Sequence, residues 1–261
     1  MSDLPSARKS LGQHWLQDED SLRAICEAAQ LKKDDVVLEI GPGPGTLTRL
    51  LTEKAARVVA VELDEELAAD LPRRVNAGNL EVVQQDILRF DLGRLPAGYK
   101  VVANIPYYLT GKLLRVLSDT ANPPAAAVLL LQKEVAERAA AGPGSMSILS
   151  VTAQFYWQVK PDRVIPAAMF VPAPRVDSQI LVLRRRAKPL FDDVEPGEFF
   201  RIVKAGFAQP RKTLLNNLAA SMQLSQDEAR TICERGAIDP GRRAQTLSLE
   251  EWRSLYRSIH T

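Results

Sequence analysis

Residues 36–47 read VVLEIGPGPGTL. The first five residues are apolar apart from one glutamate and predict a short buried strand. Glycines at positions 41, 43 and 45 follow, and the residues from Thr46 onward have helical spacing. A strand, a glycine-rich turn and a helix in this order let backbone amide groups approach a bound ligand closely. The stretch therefore predicts a ligand-binding turn at the end of a buried strand.

Strand and helix patterns alternate on both sides of this turn. The predicted strands are 57–62, 80–84, 100–103 and 125–132, and the predicted helices are 18–31, 46–54, 64–76 and 110–117. This alternation indicates βαβ crossovers and a mostly parallel sheet with helices on both faces.

The pattern changes after residue 144. A helix is predicted near 145–154, then a hairpin of 156–165 and 179–183 that closes one edge of the sheet, then helices at 196–206, 212–221, 225–235 and 248–259. Ser225 with Glu228, and Ser248 with Glu251, have capping-box spacing. We therefore predict an α/β domain over residues 1–186 and a small helical domain over residues 187–261.

The composition is that of a globular protein, with 46% hydrophobic and 25% charged residues among 261. The longest apolar run, 125–131, is far shorter than the roughly 20 residues that cross a bilayer. The N-terminal residues have no apolar region typical of a secretory signal. We expect a cytoplasmic monomer that does not contact a membrane.

Charge and cysteine content bear on two kinds of site, a phosphate-binding face and a metal site. The net charge is +2, with 20 basic against 22 acidic residues up to Leu183 and 14 against 10 from Arg184. The basic clusters of the second part are solvated surface or a phosphate-binding face. Cys26 and Cys233 are interpreted as reduced buried thiols, and with only two histidines in the chain we expect no metal site.

The glycine turn favours a nucleoside over a dinucleotide. A G-x-G-x-x-G fingerprint would place glycine at position 46, where this chain has Thr46, so a pyrophosphate is disfavoured. A turn without any ligand is the structural alternative. Glu62 ends the second strand, where its carboxylate can accept both hydroxyls of a ribose. Asp86 follows the third strand and can accept a hydrogen bond from an adenine amino group.

Residues 104–108 read NIPYY and follow the next strand. The lone pair of adenine N6 is delocalised into the ring, so an enzyme that alkylates it needs acceptors for the N–H groups. The Asn104 side chain and the Ile105 carbonyl can supply them, and Tyr107 can stack on the base. A turn that only buries two tyrosines is the alternative, and the glycine turn upstream favours function.

The chain resembles the S-adenosylmethionine-dependent ribosomal RNA adenine N6-dimethyltransferases, specifically the bacterial enzymes acting on 16S rRNA. The resemblance rests on motifs spread over nearly the whole chain: KSLGQHWL at 9–16, EIGPGPGTLT at 39–48, Glu62, Asp86, NIPY at 104–107, FVPAPRVDS at 170–178, RKTL at 211–214 and RAQTLS at 243–248. Trp15 departs from the phenylalanine usual in the family, and an aromatic exchange leaves the assignment intact.

The resemblance implies a Rossmann-like class I methyltransferase fold with a seven-stranded sheet, one antiparallel edge strand and a helical C-terminal domain. It implies dimethylation of two adjacent adenosines near the 3′ end of 16S rRNA in the small ribosomal subunit, with a role in subunit maturation. The implied cofactor-binding residues are His14, Leu16, Glu39, Gly41, Gly43, Gly45, Glu62, Asp86 and Asn104. The implied catalytic residues are Asn104, Tyr107 and Phe170, with both aromatic rings stacking on the extruded base. The structural alternatives are that His14 only caps the first helix and that Phe170 is a core residue under a proline-stiffened loop. We further predict that Arg211, Lys212, Arg242 and Arg243 bind rRNA phosphates.

Three alternatives stay open at the level of sequence. A DNA adenine N6-methyltransferase needs the same NIPY chemistry, but the terminal motifs favour the rRNA family. An assembly factor that acts mainly by binding immature small subunits is compatible with the same residues. A nicotinamide-dependent oxidoreductase is disfavoured by Thr46 and by the lack of a proton-transfer residue near the turn.

Overall fold

The computed structural model describes residues 5, 8, 12–105 and 109–260. Its strands are β1 Trp15–Leu16, β2 Val36–Ile40, β3 Arg57–Glu62, β4 Leu80–Gln84, β5 Lys100–Asn104, β6 Ala126–Gln132, β7 Trp157–Ile165, β8 Phe170–Val171 and β9 Ser178–Arg185. Its helices are α1 Glu19–Ala29, α2 Thr46–Lys54, α3 Glu65–Val75, α4 Thr110–Asp119, α5 Lys133–Ala139, α6 Ile148–Tyr156, α7 Pro196–Gly206, α8 Leu214–Met222, α9 Gln226–Arg235 and α10 Leu249–His260.

Seven strands form one sheet in the order β4-β3-β2-β5-β6-β9-β7. β2 pairs in parallel with β3 on one side and with β5 on the other, and β4 and β6 continue the parallel pairing outward. The strand order therefore reverses between β2 and β5. Open α/β sheets bind ligands at such a reversal, outside the carboxyl ends of the strands. The predicted mostly parallel sheet is confirmed.

The antiparallel strand lies one position inside the edge rather than at it. β9 pairs antiparallel with β6, and β7 occupies the edge. β9 is buried from Ser178 to Leu183, whereas most of β7 is exposed or half-buried. β7 also contains Pro161, which lacks a backbone donor and is tolerated at a sheet edge. The more apolar arm of the hairpin therefore takes the interior position.

The chain divides into two compact units, residues 1–136 with 159–185 and residues 137–158 with 186–261. The predicted division differs from this one in residues 137–158 and in Arg186, all of which it assigned to the first domain. These residues pack within the second unit: the Phe155 ring stacks on Phe199 with centroids 5.1 Å apart. The Met146 N–H also donates to the Gln245 carbonyl at 3.0 Å. Helix α6 thus belongs to the core of the helical unit.

Both cysteines are free and buried, as expected. Burial raises the pKa of the Cys26 thiol to about 12, so it behaves as an apolar core group. Over the described ranges, no helix has the length and apolar content needed to cross a membrane.

Candidate active site

The glycine turn joins β2 to α2 at the reversal of strand order. Its three glycines all have positive φ, which is why glycine is needed there. The Gly41 N–H donates to the Val61 carbonyl at 2.9 Å, which fixes the turn against β3. Gly45 caps α2 without a side-chain hydrogen bond. Gly41, Pro42 and Pro44 of the turn line the cavity beside it, together with Thr46 and Leu47 of α2.

Gly43 and Gly45 leave room for side chains that pack against the turn. A Cβ at Gly43 would be 2.6 Å from Cζ3 of Trp15. A Cβ at Gly45 would be 2.8 Å from both Leu71 and Val75 of α3. Neither glycine lines the cavity, whereas Gly41 does.

Glu62 is held rigidly at the end of β3 and is only 6% exposed. Its Oε1 accepts the Asp64 N–H at 3.0 Å and its Oε2 accepts the Gly43 N–H at 3.1 Å. Burial raises the pKa of this carboxyl, and the two backbone donors oppose the rise. Each oxygen retains acceptor capacity, so the carboxylate is oriented to accept a pair of hydroxyl groups.

Glu39 lies deeper in the same cavity and is 1% exposed. Within the described residues its Oε2 has no hydrogen-bond partner, and neither has the buried Thr48 hydroxyl. Burial raises the pKa of Glu39 to about 8, outweighing the nearby Thr48 hydroxyl, which lowers it. Unpartnered buried polar atoms are costly, so this site is built to receive a donor or a cation.

Asp86, two residues after the end of β4, and Asn104, the last residue of β5, both line the cavity. Asp86 Oδ1 accepts the Leu88 N–H at 2.9 Å, which leaves acceptor capacity on the carboxylate. Asn104 ends β5, and its Nδ2 donates to the His14 carbonyl at 3.4 Å. The His14 ring in turn lies 2.7 Å, through Nδ1, from the Pro172 carbonyl. Residues 12–16 therefore form one wall of the cavity.

One cavity of about 320 Å³ brings most of the predicted cofactor residues together. Its predicted lining residues are His14, Leu16, Glu39, Gly41, Glu62, Asp86 and Asn104.

Comparison with known proteins decides the family. The family model described as ribosomal RNA adenine dimethylase matches residues 5–261. The chain belongs to this family. It is therefore a methyltransferase of the ribosomal RNA adenine dimethylase family, whose methyl donor is S-adenosylmethionine.

Individual relatives agree over nearly the whole chain. The ribosomal RNA small subunit methyltransferase A of Dehalococcoides mccartyi (strain ATCC BAA-2266 / KCTC 15142 / 195) is 40% identical, over 95% of this chain and 87% of the relative. The protein of that name from Shouchella clausii (strain KSM-K16) is 41% identical, over 97% and 90%. Among solved structures, the 23S rRNA methyltransferase ErmE superposes with a TM-score of 0.75 at 26% identity, over 95% of this chain and all of that one. A dimethyladenosine transferase from Plasmodium falciparum gives a TM-score of 0.76 at 25% identity, over 92% and 95%.

The residues of this adenine dimethylase fit S-adenosylmethionine. The cofactor presents two ribose hydroxyls, an adenine amino group and an ammonium group, all of them donors. The cavity offers Glu62, Asp86 and the unpartnered Glu39 carboxyl as acceptors. These three acceptors thus match the donor groups of the methyl donor.

Of the two predicted base-stacking residues, the structure describes only Phe170. Phe170 does not line the cavity: it is 3% exposed and packs in the apolar core with Leu16 and Leu22. Its ring would have to move to reach a base. Tyr107 lies outside the described residues.

Sequence reasoning did not single out several residues that line the dimethylase cavity, and two of them are Leu63 and Lys112. Leu63 follows Glu62, is 47% exposed and lines the cavity, so an apolar surface is available beside the Glu62 carboxyl. Its place after a strand-end carboxylate was the signal available. Lys112 also lines the cavity from the first turn of α4. A cation in that turn opposes the helix dipole, which was the only local hint.

The predicted RNA-binding residues separate into two kinds. Arg211, Lys212 and Arg243 are exposed, and no ion pair within the described residues involves them. Arg242 instead binds both carboxylate oxygens of Glu251 and donates to the Thr246 carbonyl at 2.6 Å. Arg242 therefore has a structural role in the helical unit.

Proposed function

We propose that this enzyme transfers methyl groups to N6 of two adjacent adenosines near the 3′ end of 16S rRNA, in the small ribosomal subunit or its precursor, in the cytoplasm. The carrying observation is that Glu39, Glu62, Asp86 and Asn104 meet at one cavity at the carboxyl ends of parallel strands. The small-subunit target is supported by relatives that carry this activity in their names.

Each carboxylate takes one part of the methyl donor in this proposal. Glu62 accepts the ribose hydroxyls, since two backbone donors fix both of its oxygens in place. Asp86 accepts the adenine amino group. Glu39 receives the ammonium of the methionine part, which supplies the partner that its Oε2 lacks.

Asn104 and Ile105 prepare the target amine. S-adenosylmethionine supplies a methyl group that is already activated by its positive sulfur. The Asn104 side-chain oxygen and the Ile105 carbonyl accept the N6 hydrogens and orient the nitrogen lone pair. The amine gains the methyl and loses a proton to water. Positioning of this kind supplies most of the rate.

The target base must leave its stack, at a cost of a few kcal/mol. We propose that Tyr107 and Phe170 then hold its two faces, which requires Phe170 to leave its buried position.

The experiment is transfer of labelled methyl to small subunits that lack the modification, with naked rRNA and DNA in parallel. The proposal expects N6,N6-dimethyladenine in the subunits. Label in DNA alone would favour a DNA methyltransferase, and tight subunit binding without transfer would favour an assembly factor. Asn104→Ala is expected to lower the rate at least about a hundredfold while the cofactor Kd changes little. Near-normal methylation by this variant would remove Asn104 from the mechanism.

A further inference from the structure

A hydrogen-bonded path runs from Asn104 across the N-terminal segment to residue 172. Asn104 Nδ2 donates to the His14 carbonyl at 3.4 Å, and the His14 ring is 2.7 Å from the Pro172 carbonyl. Since a carbonyl oxygen only accepts, Nδ1 carries the hydrogen. The path joins the end of β5 to the start of residues 170–178, called the 170–178 segment below.

Strand pairing brings these two parts of the chain side by side. β1 pairs antiparallel with β8, Trp15 opposite Val171 and Leu16 opposite Phe170. The Gln17 N–H also donates to the Met169 carbonyl at 3.2 Å. The pairing ends at Val171, and the following Pro172 has no N–H to extend it. Beyond the pair, the His14 ring therefore takes over as a hydrogen-bond donor to the segment.

The other side of the N-terminal segment is seated on the glycine turn. The Trp15 ring lies so close to Gly43 that a Cβ there would be 2.6 Å from it. His14 and Trp15 both line the cofactor cavity. One short strand thus contacts the turn below the cofactor, Asn104, and the segment that begins with Phe170.

We propose that His14 is a positioning residue for methyl transfer, which holds the 170–178 segment in a fixed place relative to Asn104. This inference rests on the proposed function, because that segment supplies the predicted base-stacking ring. Its consequence is that the cofactor wall and the target-base side are aligned by one imidazole N–H.

Two substitutions of similar size isolate that hydrogen bond. In His14→Asn, the side-chain Nδ2 lies where the imidazole Nδ1 was and can still donate to Pro172. In His14→Leu, no donor is present. Both lose the rest of the ring, so any contribution of the imidazole to cofactor binding is removed equally from both.

Single-turnover methyl transfer to small subunits and cofactor titration without RNA are the two measurements. We expect His14→Leu to be slower than His14→Asn by about tenfold or more, because small misplacements are costly in rate. The cofactor Kd is expected to be the same for the two variants. Equal rates, or a difference confined to the cofactor Kd, would overturn the proposal.

Amide hydrogen exchange of the 170–178 segment provides a test that needs no substrate. We expect faster exchange there in His14→Leu than in the wild type and His14→Asn. Equal exchange in all three proteins would refute the positioning role. If the wild type failed to methylate subunits, the proposed function would fall, and the exchange result would still decide the role of His14 in holding the segment.

Discussion

At the scale of single residues, Glu39 predicts how the stability of the protein changes with pH. Its carboxyl keeps a proton up to about pH 8 in the folded protein, against an ordinary value of 4.5. Between these values the unfolded chain binds fewer protons than the folded one, so the wild type loses stability as pH rises. Glu39→Gln has no such proton to lose. We expect its stability relative to the wild type to rise by about 2–4 kcal/mol between pH 5 and pH 8.

Denaturant unfolding of both proteins at the two pH values measures this change. The control is Glu65→Gln, the same substitution at an exposed glutamate, the first residue of α3. A wild-type-to-variant difference that stayed constant with pH would mean that Glu39 is ionised in the folded protein.

The sequence predicts the position of a residue in the fold where topology alone determines it, and the binding role of that residue stays a prediction. Glu62 and Asn104 end parallel strands, and such ends meet at one edge of the sheet. Phe170 was different, because its burial depends on pairing between β1 and β8, which are more than 150 residues apart. No local pattern encodes that pairing, so the sequence could offer a core position for Phe170 only as an alternative to base stacking.

At the scale of elements, the packing of α3 against the glycine turn predicts how much stability a Gly45 substitution costs. Gly45 and Gly98 have nearly equal φ, +86° and +82°, but only Gly45 faces α3, whereas nothing lies within 4 Å of a Cβ at Gly98. Gly98→Ala should cost about 1–2 kcal/mol for the left-handed backbone alone. Gly45→Ala should cost about 1–3 kcal/mol more, because its methyl overlaps Leu71 and Val75. Equal losses of unfolding free energy would show that α3 moves aside freely.

The turn before α10 is held by Arg242. Its hydrogen bonds keep the pKa of Glu251 below the usual range, so the pair stabilises above that range and the gain is lost as pH falls. Both side chains are about 31% exposed, which limits the pair to about 1 kcal/mol. Arg242→Ala should lower the Tm by about 2–4 °C at neutral pH. The difference should shrink in acid, and Arg243→Ala should leave the Tm unchanged; identical effects of the two changes would contradict the structural role.

Helix caps were predictable at the level of elements because they depend on neighbours three residues apart. Ser225 with Glu228 forms the predicted reciprocal pair, and Ser248 with Glu251 does the same. The place of β9 inside the edge was not predicted, since it depends on which hairpin arm buries more apolar surface.

At the scale of the whole molecule, the charge distribution separates two tasks. The first unit contains the acidic cavity that fits a cationic cofactor. The second carries exposed basic residues with no ion pair within the described chain, and the predicted phosphate-binding residues Arg211, Lys212 and Arg243 are among them. Sequence counts showed the positive excess after residue 184, but not that Arg242 is neutralised by Glu251. Arg242 is therefore engaged within the helical unit, and phosphate binding stays a prediction for Arg211, Lys212 and Arg243.

Charge reversal tests this set on intact small subunits. Lysine and arginine contacts to phosphates release counterions, so each contact steepens the salt dependence of binding by about 0.7–0.9 in the log–log slope. Arg211→Glu with Lys212→Glu should weaken binding and flatten the slope by about 1.5. Arg230→Glu, at an exposed arginine on α9, reverses one charge instead of two and is the control, with effects compared per reversed charge. If the control weakened binding and flattened the slope as much per charge, the subunit would be sensing net charge alone; if only the cluster variant did, these side chains contact rRNA phosphates.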